Sequence, residues 1–306
     1  DSSDLDTADF PISPLSIPPL VESQALRARV AFGAVSNRGK VRVNNEDHFF
    51  VGRIHRGVEM YHSNMPDDIV PRQVEEEGFV MVVADGMGGA ASGEHASMLA
   101  ILTGLRVVLN TNKWNMAYTE EETCQLIQKM QAYFNEMDQV LLDQARLHPE
   151  MAGMGTTLIV TYSVGNVLFV VHAGDSRGYL IRGKHIEQLT KDHTLAQMLA
   201  ETGQIPPEEV SRHKKRHVLT NFLGGPTRGV VADIQRFLLS DNDRILLCSD
   251  GLSELVPVEE IARIVQDSSD PQSACDALVA QALDKGGSDN ITVTLGHYRF
   301  EDQPGG

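Results

Sequence analysis

Phe79-Val-Met-Val-Val-Ala-Asp85-Gly-Met-Gly-Gly89 is the stretch on which the reading of this chain turns. Its first six residues are apolar and half are Val, and branched Cβ atoms suit a pleated, extended backbone better than a helix. The run stops at an aspartate, and the glycines behind it accept turns that other residues resist. A helix over 93–109 follows, with Ser92 as its N-cap. The same signature recurs along the chain. Asp175 ends Val167-Leu-Phe-Val-Val-His-Ala-Gly, and Asp250 ends Ile245-Leu-Leu-Cys-Ser and meets Gly251. Asp289 stands in Gly286-Gly-Ser-Asp-Asn just ahead of Ile291-Thr-Val-Thr-Leu, and Asp47 follows Arg42-Val-Asn-Asn-Glu46.

Working outward, β-rich runs are expected at 30–36, 47–54, 79–84, 156–163, 167–173, 177–182, 234–239, 244–249 and 291–299. The runs 156–163 and 167–173 are joined by Val164-Gly165-Asn166, a hairpin connection, so the sheets should be mostly antiparallel with helices on their outer faces. Two apolar stripes read as the core faces of long helices: Ala96, Leu99, Leu102, Leu105 and Leu109, then Leu126, Met130, Phe134, Met137 and Leu141. A shorter helix pair is expected at 258–266 and 271–284, while 192–230 mixes short helical pattern with Gly, Pro and basic residues.

Composition removes several function classes. Among 306 residues, 42 acidic side chains face 26 basic ones for a net charge of −16, which disfavours nucleic acid and anionic membrane surfaces as partners. No apolar run reaches the length of a membrane span. The three cysteines lack CxxC spacing and leave an odd count, so neither a zinc site nor a disulfide framework is expected. The eleven histidines are scattered without paired spacing and are not read as metal ligands. The chain starts at Asp1 instead of Met, and no basic and apolar signal pattern opens it.

So many aspartates at strand ends, with Glu254 nearby, would repel one another if brought together, and hard cations with oxygen ligands are the ordinary remedy. Mg2+ or Mn2+ suits such a donor set. Any single Asp could equally be a turn residue. Two competing motifs fall away. Gly174-Asp-Ser-Arg-Gly178 has the GxSxG form of serine hydrolases, but a strand follows it where that elbow needs a helix. The glycines of 86–93 lead into a helix without the Lys-Ser/Thr of a nucleotide-binding loop.

Seven ordered pieces resemble the metal-dependent PPM, or type 2C, family of Ser/Thr phosphatases, especially its bacterial members: Arg42-x-x-Asn45-Glu46-Asp47, Asp85-Gly-Met-Gly-Gly89, Gly153-Met-Gly-Thr-Thr157, Gly174-Asp-Ser-Arg-Gly178, Leu189-Thr-Lys-Asp-His193, Ser249-Asp-Gly-Leu252 and Gly287-Ser-Asp-Asn290. The resemblance implies an α+β fold, a four-layer αββα sandwich of two antiparallel β-sheets flanked by helices, over 29–300, with an acidic and Pro-rich leader at 1–28, an insertion at 53–78, a flap at 192–224 and a tail at 301–306. It implies hydrolysis of phosphoserine and phosphothreonine by a water bridging two divalent ions, with a third ion as a further option. Arg42, Asp47 and Asp85 would form the catalytic set, and Glu46, Asp47, Asp85, the Gly86 carbonyl, Asp175, Asp250 and Asp289 the metal set. Asp85 would bridge, Glu46 and Asp47 would act mainly through water, and Asp175 with Asp250 would hold the third ion. Arg42 would grip phosphoryl oxygens. The implied partners are phosphorylated substrates of Ser/Thr kinases, met by a cytoplasmic monomer.

Two departures follow. Met87 stands where animal members carry a candidate acid His, so a proton must reach the leaving group by another route. The basic run Arg212-His-Lys-Lys-Arg-His217 lies in the flap, where it could draw phosphorylated substrate toward an acidic body. A pseudophosphatase and a hydrolase of small phosphate esters remain the rival readings.

Overall fold

The computed structural model describes residues 27–59, 61–62, 73–88, 92–110, 120–225 and 229–301; most of the leader and the tail after 301 lie outside them. The chain divides into a small unit, Asp1–Gln24 with His55–Glu76, and a large one, Ala25–Ile54 with Glu77–Gly306. Within the small unit, 55–59 and 73–76 are strand.

The strands are β1 (Arg27–Asn37), β2 (Asp47–Glu59), β3 (Gln73–Met87), β4 (Gly155–Thr156), β5 (Leu158–Val164), β6 (Val167–Ala173), β7 (Arg177–Arg182), β8 (His185–Gln188), β9 (Asp233–Leu238), β10 (Arg244–Cys248) and β11 (Ile291–Glu301). The helices are α1 (Ser92–Asn110), α2 (Glu120–Leu147), α3 (Leu195–Glu201), α4 (Asp250–Ser253), α5 (Val258–Asp267) and α6 (Pro271–Asp284). One sheet runs β1-β11-β10-β7-β8 and the other β2-β3-β5-β6-β9, with β4 beside β3. Antiparallel registers include Val35↔Val293, Leu246↔Leu295, Val82↔Val160 and Val171↔Ile234.

Side chains of period two explain the layers. In β3, Val80, Val82 and Ala84 pack under α1 and α2, while Met81 and Val83 point into the space between the sheets. In β10, Leu246 and Cys248 pack under α5 and α6, while Ile245 and Leu247 face Met81, Leu168 and Tyr298 between the sheets. A strand covered on both faces must be apolar at consecutive positions, which is why Phe79–Ala84 shows no polar alternation. The expected four-layer sandwich is thus the observed one.

Several expectations need correction. The α1 stripe holds only in part: Ala96 is buried and Leu105 packs against the core, but Leu102 and Leu109 are 50% and 77% exposed, while Ser97, Ala100, Ile101 and Thr103, outside the stripe, are buried. Each three-residue step falls about 60° short of a full turn, so a stripe written in steps of three rotates off the core. The α2 stripe, spaced mostly by four, is buried throughout. Ser92 lies inside the first turn and its Oγ donates to the Glu150 carbonyl at 3.5 Å instead of capping. β2 and β3 run on into the 53–78 stretch read as an insertion.

Strand direction places the acidic ends together. β3 and β6 both run antiparallel to β5, so their C-terminal ends, at Asp85 and just before Asp175, share one edge. β10 runs antiparallel to β11 and β7, so Asp250 follows its end where Asp289 precedes β11 and Asp175 precedes β7. Among the described residues no helix is long and apolar enough to cross a membrane. The three cysteines are free.

β1 lies against the start of α6, where Asp270 caps the helix by accepting the Ser273 N–H at 3.0 Å and Pro271 takes the first turn. A Cβ at Gly33 would run into the Pro271 backbone. Gly33→Val is therefore expected to lower unfolding free energy by about 1–3 kcal/mol. Urea denaturation checks this, and an unchanged midpoint would mean that β1 and α6 do not pack this closely.

Candidate metal centre

Two loops are bolted together before any aspartate is considered. Asn290 Nδ2 donates to the carbonyls of Arg38 and Asn44, each at 2.9 Å, and its Oδ1 accepts the Glu46 N–H at 2.8 Å. Ser97, buried in α1, donates to the Glu46 carbonyl at 2.6 Å, and the Gly86 N–H reaches the same oxygen at 3.2 Å. Close approach explains two glycines: a Cβ at Gly86 would strike the Gly93 carbonyl, and one at Gly251 the Asn290 carbonyl. Asn290, Ser249 and Thr157 stand in the quoted motifs without an assigned role, and Ser97 was not singled out, because their partners lie far along the chain.

Asp47 is 4% exposed; its Oδ2 accepts the Ser249 hydroxyl at 2.7 Å, whereas Oδ1 is buried with no hydrogen-bond partner. Asp85 is held by its backbone, donating its N–H to Thr157 Oγ1 at 3.0 Å and accepting Thr156 Oγ1 and the Thr157 N–H at 2.9 Å each. Asp250 opens α4. Asp175 follows Gly174, whose φ of +116° only glycine adopts freely. Asp289 accepts Arg42 Nη2 at 2.6 Å, with side chains 32% and 54% exposed.

The electrostatics show which carboxylates meet. Burial and then the charges of Asp47, Asp250, Asp175 and Asp289 push Asp85 well above the usual carboxylate range. Burial and the charges of Asp175, Asp289, Glu254 and Asp47 do the same to Asp250. Burial raises Asp47 to about 6 against the lowering hydrogen bond from Ser249, and burial with Asp192 raises Asp175 to about 7. Glu46 is raised by burial and senses Arg42, Asp289 and Glu94, which puts it at the margin. Five aspartates thus converge with Asp85 at their centre.

This donor set fits divalent cations: hard oxygen ligands, a partnerless buried oxygen on Asp47, and carboxylates whose charge the protein alone leaves uncompensated. The spacing is looser than a loaded centre needs, since no trio of the five brings its oxygens within 4.8 Å of one another, and Asp289 is drawn toward Arg42.

Two trios among the described residues are that close, and both contain histidine. His217, Asp250 and Glu254 border the cluster, with His217 Nδ1 3.0 Å from Glu254 and Arg216 Nε 3.7 Å from it, so the basic run faces the acidic site. His172, His193 and Asp233 form the other trio, but the two imidazoles stack at 4.6 Å with planes 6° apart. Nitrogen lone pairs lie in the ring planes, and parallel stacked rings cannot aim both at one ion. Met87 is half-buried near Asp85 and offers no proton. An apolar cavity of about 150 Å³ under α1 and α2 shares no lining residue with the acidic cluster.

A family model described as protein phosphatase 2C matches residues 56–285, which include Asp85, Asp175 and Asp250 but not Arg42, Glu46, Asp47 or Asp289. The serine/threonine protein phosphatase PstP of Mycobacterium tuberculosis is 34% identical over 266 residues, 86% of this chain and 44% of that protein, so this chain spans less than half of it. The serine/threonine phosphatase stp of Listeria monocytogenes is 32% identical over 263 residues, 85% of this chain and 92% of that protein. The solved catalytic domain of PstP in complex with two manganese ions is similar at a TM-score of 0.69 and 31% identity, covering 89% of this chain and 100% of that one.

The raised carboxylates make a signed prediction. Their folded pKa values lie above the unfolded value of 3.8, so the folded state binds more protons between 3.8 and about 7. Their contribution to stability is present at low pH and is lost as pH rises through that window. EDTA-stripped protein should therefore melt lower at neutral pH than in mild acid, and Mn2+ should raise the neutral melting point. A neutral melting curve indifferent to Mn2+ would remove the cation reading.

Proposed function

This chain belongs to the protein phosphatase 2C family, and on that footing we propose that it hydrolyses phosphoserine and phosphothreonine in proteins by direct attack of a water shared by two divalent cations, Mn2+ or Mg2+. The single observation that carries the reading is the buried, partnerless Oδ1 of Asp47 beside Asp85 and Asp250, whose ionised forms the protein leaves uncompensated. The cations supply Lewis acidity that makes water a nucleophile at neutral pH.

The chain's own residues do the rest. Asp47, Asp85, Asp250, Asp289 and the Gly86 carbonyl would hold two ions, Glu46 would contribute through water, and Asp175 with Asp250 would hold a third. Arg42, half-exposed and tied to Asp289 by one nitrogen, is placed to offer its planar fork to phosphoryl oxygens that the acidic cluster would otherwise repel. Ser249 and Thr157 keep Asp47 and Asp85 in place through direct hydrogen bonds. The flap's Arg216 brings positive charge to Glu254 at the rim, with His217 Nδ1 3.0 Å from the same carboxylate, which supports recruitment of phosphorylated segments. The same reading extends to proteins phosphorylated by Ser/Thr kinases and to a monomer working in the cytoplasm.

Phosphate release from a phosphothreonine peptide should require Mn2+ or Mg2+, vanish with EDTA, exceed release from a nucleotide, and fall to background in Asp250→Ala. Metal-independent release would end the proposal. Replacing Lys214, Lys215 and Arg216 with Ser should lower kcat/KM on an acidic phosphopeptide about tenfold at low salt, with the difference shrinking at high salt. Equal kcat/KM values at low salt would show that the basic run merely faces solvent.

A further inference from the structure

His193 gathers four hydrogen bonds beside Asp175 and has no assigned role. Its N–H donates to the Gly174 carbonyl at 3.0 Å, and the Gly174 N–H donates back to His193 Nδ1 at 3.1 Å. This reciprocal pair grips the glycine immediately before Asp175. The same Nδ1 accepts Asn221 Nδ2 at 3.0 Å, and the His193 carbonyl accepts the Thr220 N–H at 2.8 Å. Asn221 in turn exchanges two hydrogen bonds with Val231, at 2.7 and 3.1 Å. One imidazole therefore joins the Asp175 turn to both ends of the 192–224 flap, whose incoming and outgoing segments also pair through Thr194 and Leu219.

The flanking contacts restrict how the ring can turn. Its face stacks on His172, whose Nε2 donates to the Lys191 carbonyl at 2.8 Å. Next along the chain, Asp192 is clamped by Arg177 through Nε at 2.9 Å and Nη2 at 2.6 Å. With N–H donors aimed at Nδ1, the ring proton sits on Nε2, so His193 serves the joint as an acceptor.

We propose that His193 is a positioning residue whose Nδ1 couples the flap to Asp175, so that the flap's outgoing end and the Asp175 carboxylate hold one arrangement together. Its cation arm rests on the reading of Asp175 as a ligand; its flap arm does not. Two substitutions separate the acceptor from the stacking ring. His193→Phe keeps the ring on His172 and removes the acceptor, while His193→Asn gives up the ring and places Oδ1 where Nδ1 was.

The first readout is limited trypsin digestion in EDTA, which cuts the flap at Lys214, Lys215 and Arg216 and needs neither metal nor activity. The second is the Mn2+ concentration that half-saturates binding to the weakest site by calorimetry. The Phe variant should be cut about tenfold faster and need about tenfold more Mn2+, with the Asn variant near wild type in both. The proposal is overturned if Phe matches wild type, if Asn is as impaired as Phe, or if digestion changes while Mn2+ binding does not. Should wild type show no Mn2+ binding, the proposed function fails and digestion alone decides the joint. Should the Phe variant not fold, Asn221→Ser must raise digestion in the same way, and unchanged digestion overturns the proposal.

Discussion

Repulsion among five aspartates at one edge of a β-sandwich is the constraint to which the surrounding structure answers. Two like charges about 4 Å apart in a protein-like medium oppose each other by about 4 kcal/mol, which is a large share of the stability of an ordinary domain. The chain holds Asp47, Asp85, Asp175, Asp250 and Asp289 within mutual electrostatic reach all the same. It does so with neutral staples: Asn290 across the 38–46 loop, Ser249 on Asp47, Thr157 on Asp85. At the rim Arg42 meets Asp289 and Arg216 lies 3.7 Å from Glu254, while Arg177, clamped on Asp192, draws Asp175 down from within. Cations placed among the five would turn the repulsion into a source of stability, which links metal binding to folding.

The sandwich is what makes that edge stiff. Both sheets carry side chains on both faces, so β3, β6 and β10 cannot slide without disturbing a helical layer and the layer between the sheets at once. Loops from both sheets reach the site, and the close backbone contacts at Gly86 and Gly251 lock them. A ligand set drawn from strand ends therefore inherits the rigidity of the sheets. The flap differs in kind: short helical turns and exposed basic residues tied down at its base through His193 and Asn221.

The sequence by itself determined what local chemistry can state. An apolar run that stops at an Asp beside Gly marks a strand end, so Asp85, Asp175 and Asp250 were legible as strand-end acids, although β3 runs on through Gly86 to Met87 and Asp250 opens a helix instead of a turn. The stripe from Leu126 to Leu141 was legible because steps of four stay on one helix face. The stripe from Ala96 to Leu109 was right at Ala96 and Leu105 and wrong at Leu102 and Leu109, because steps of three drift off one face. Only the tertiary structure decided which distant groups meet. Asn290 reaches Glu46 across 244 positions, Ser249 reaches Asp47 across 202, and Arg42 reaches Asp289 across 247. The histidines, unpaired in sequence, came together as His172 on His193 because β6 and the start of the flap lie side by side. Such contacts depend on strand order and direction, and spacing along a chain carries no record of either.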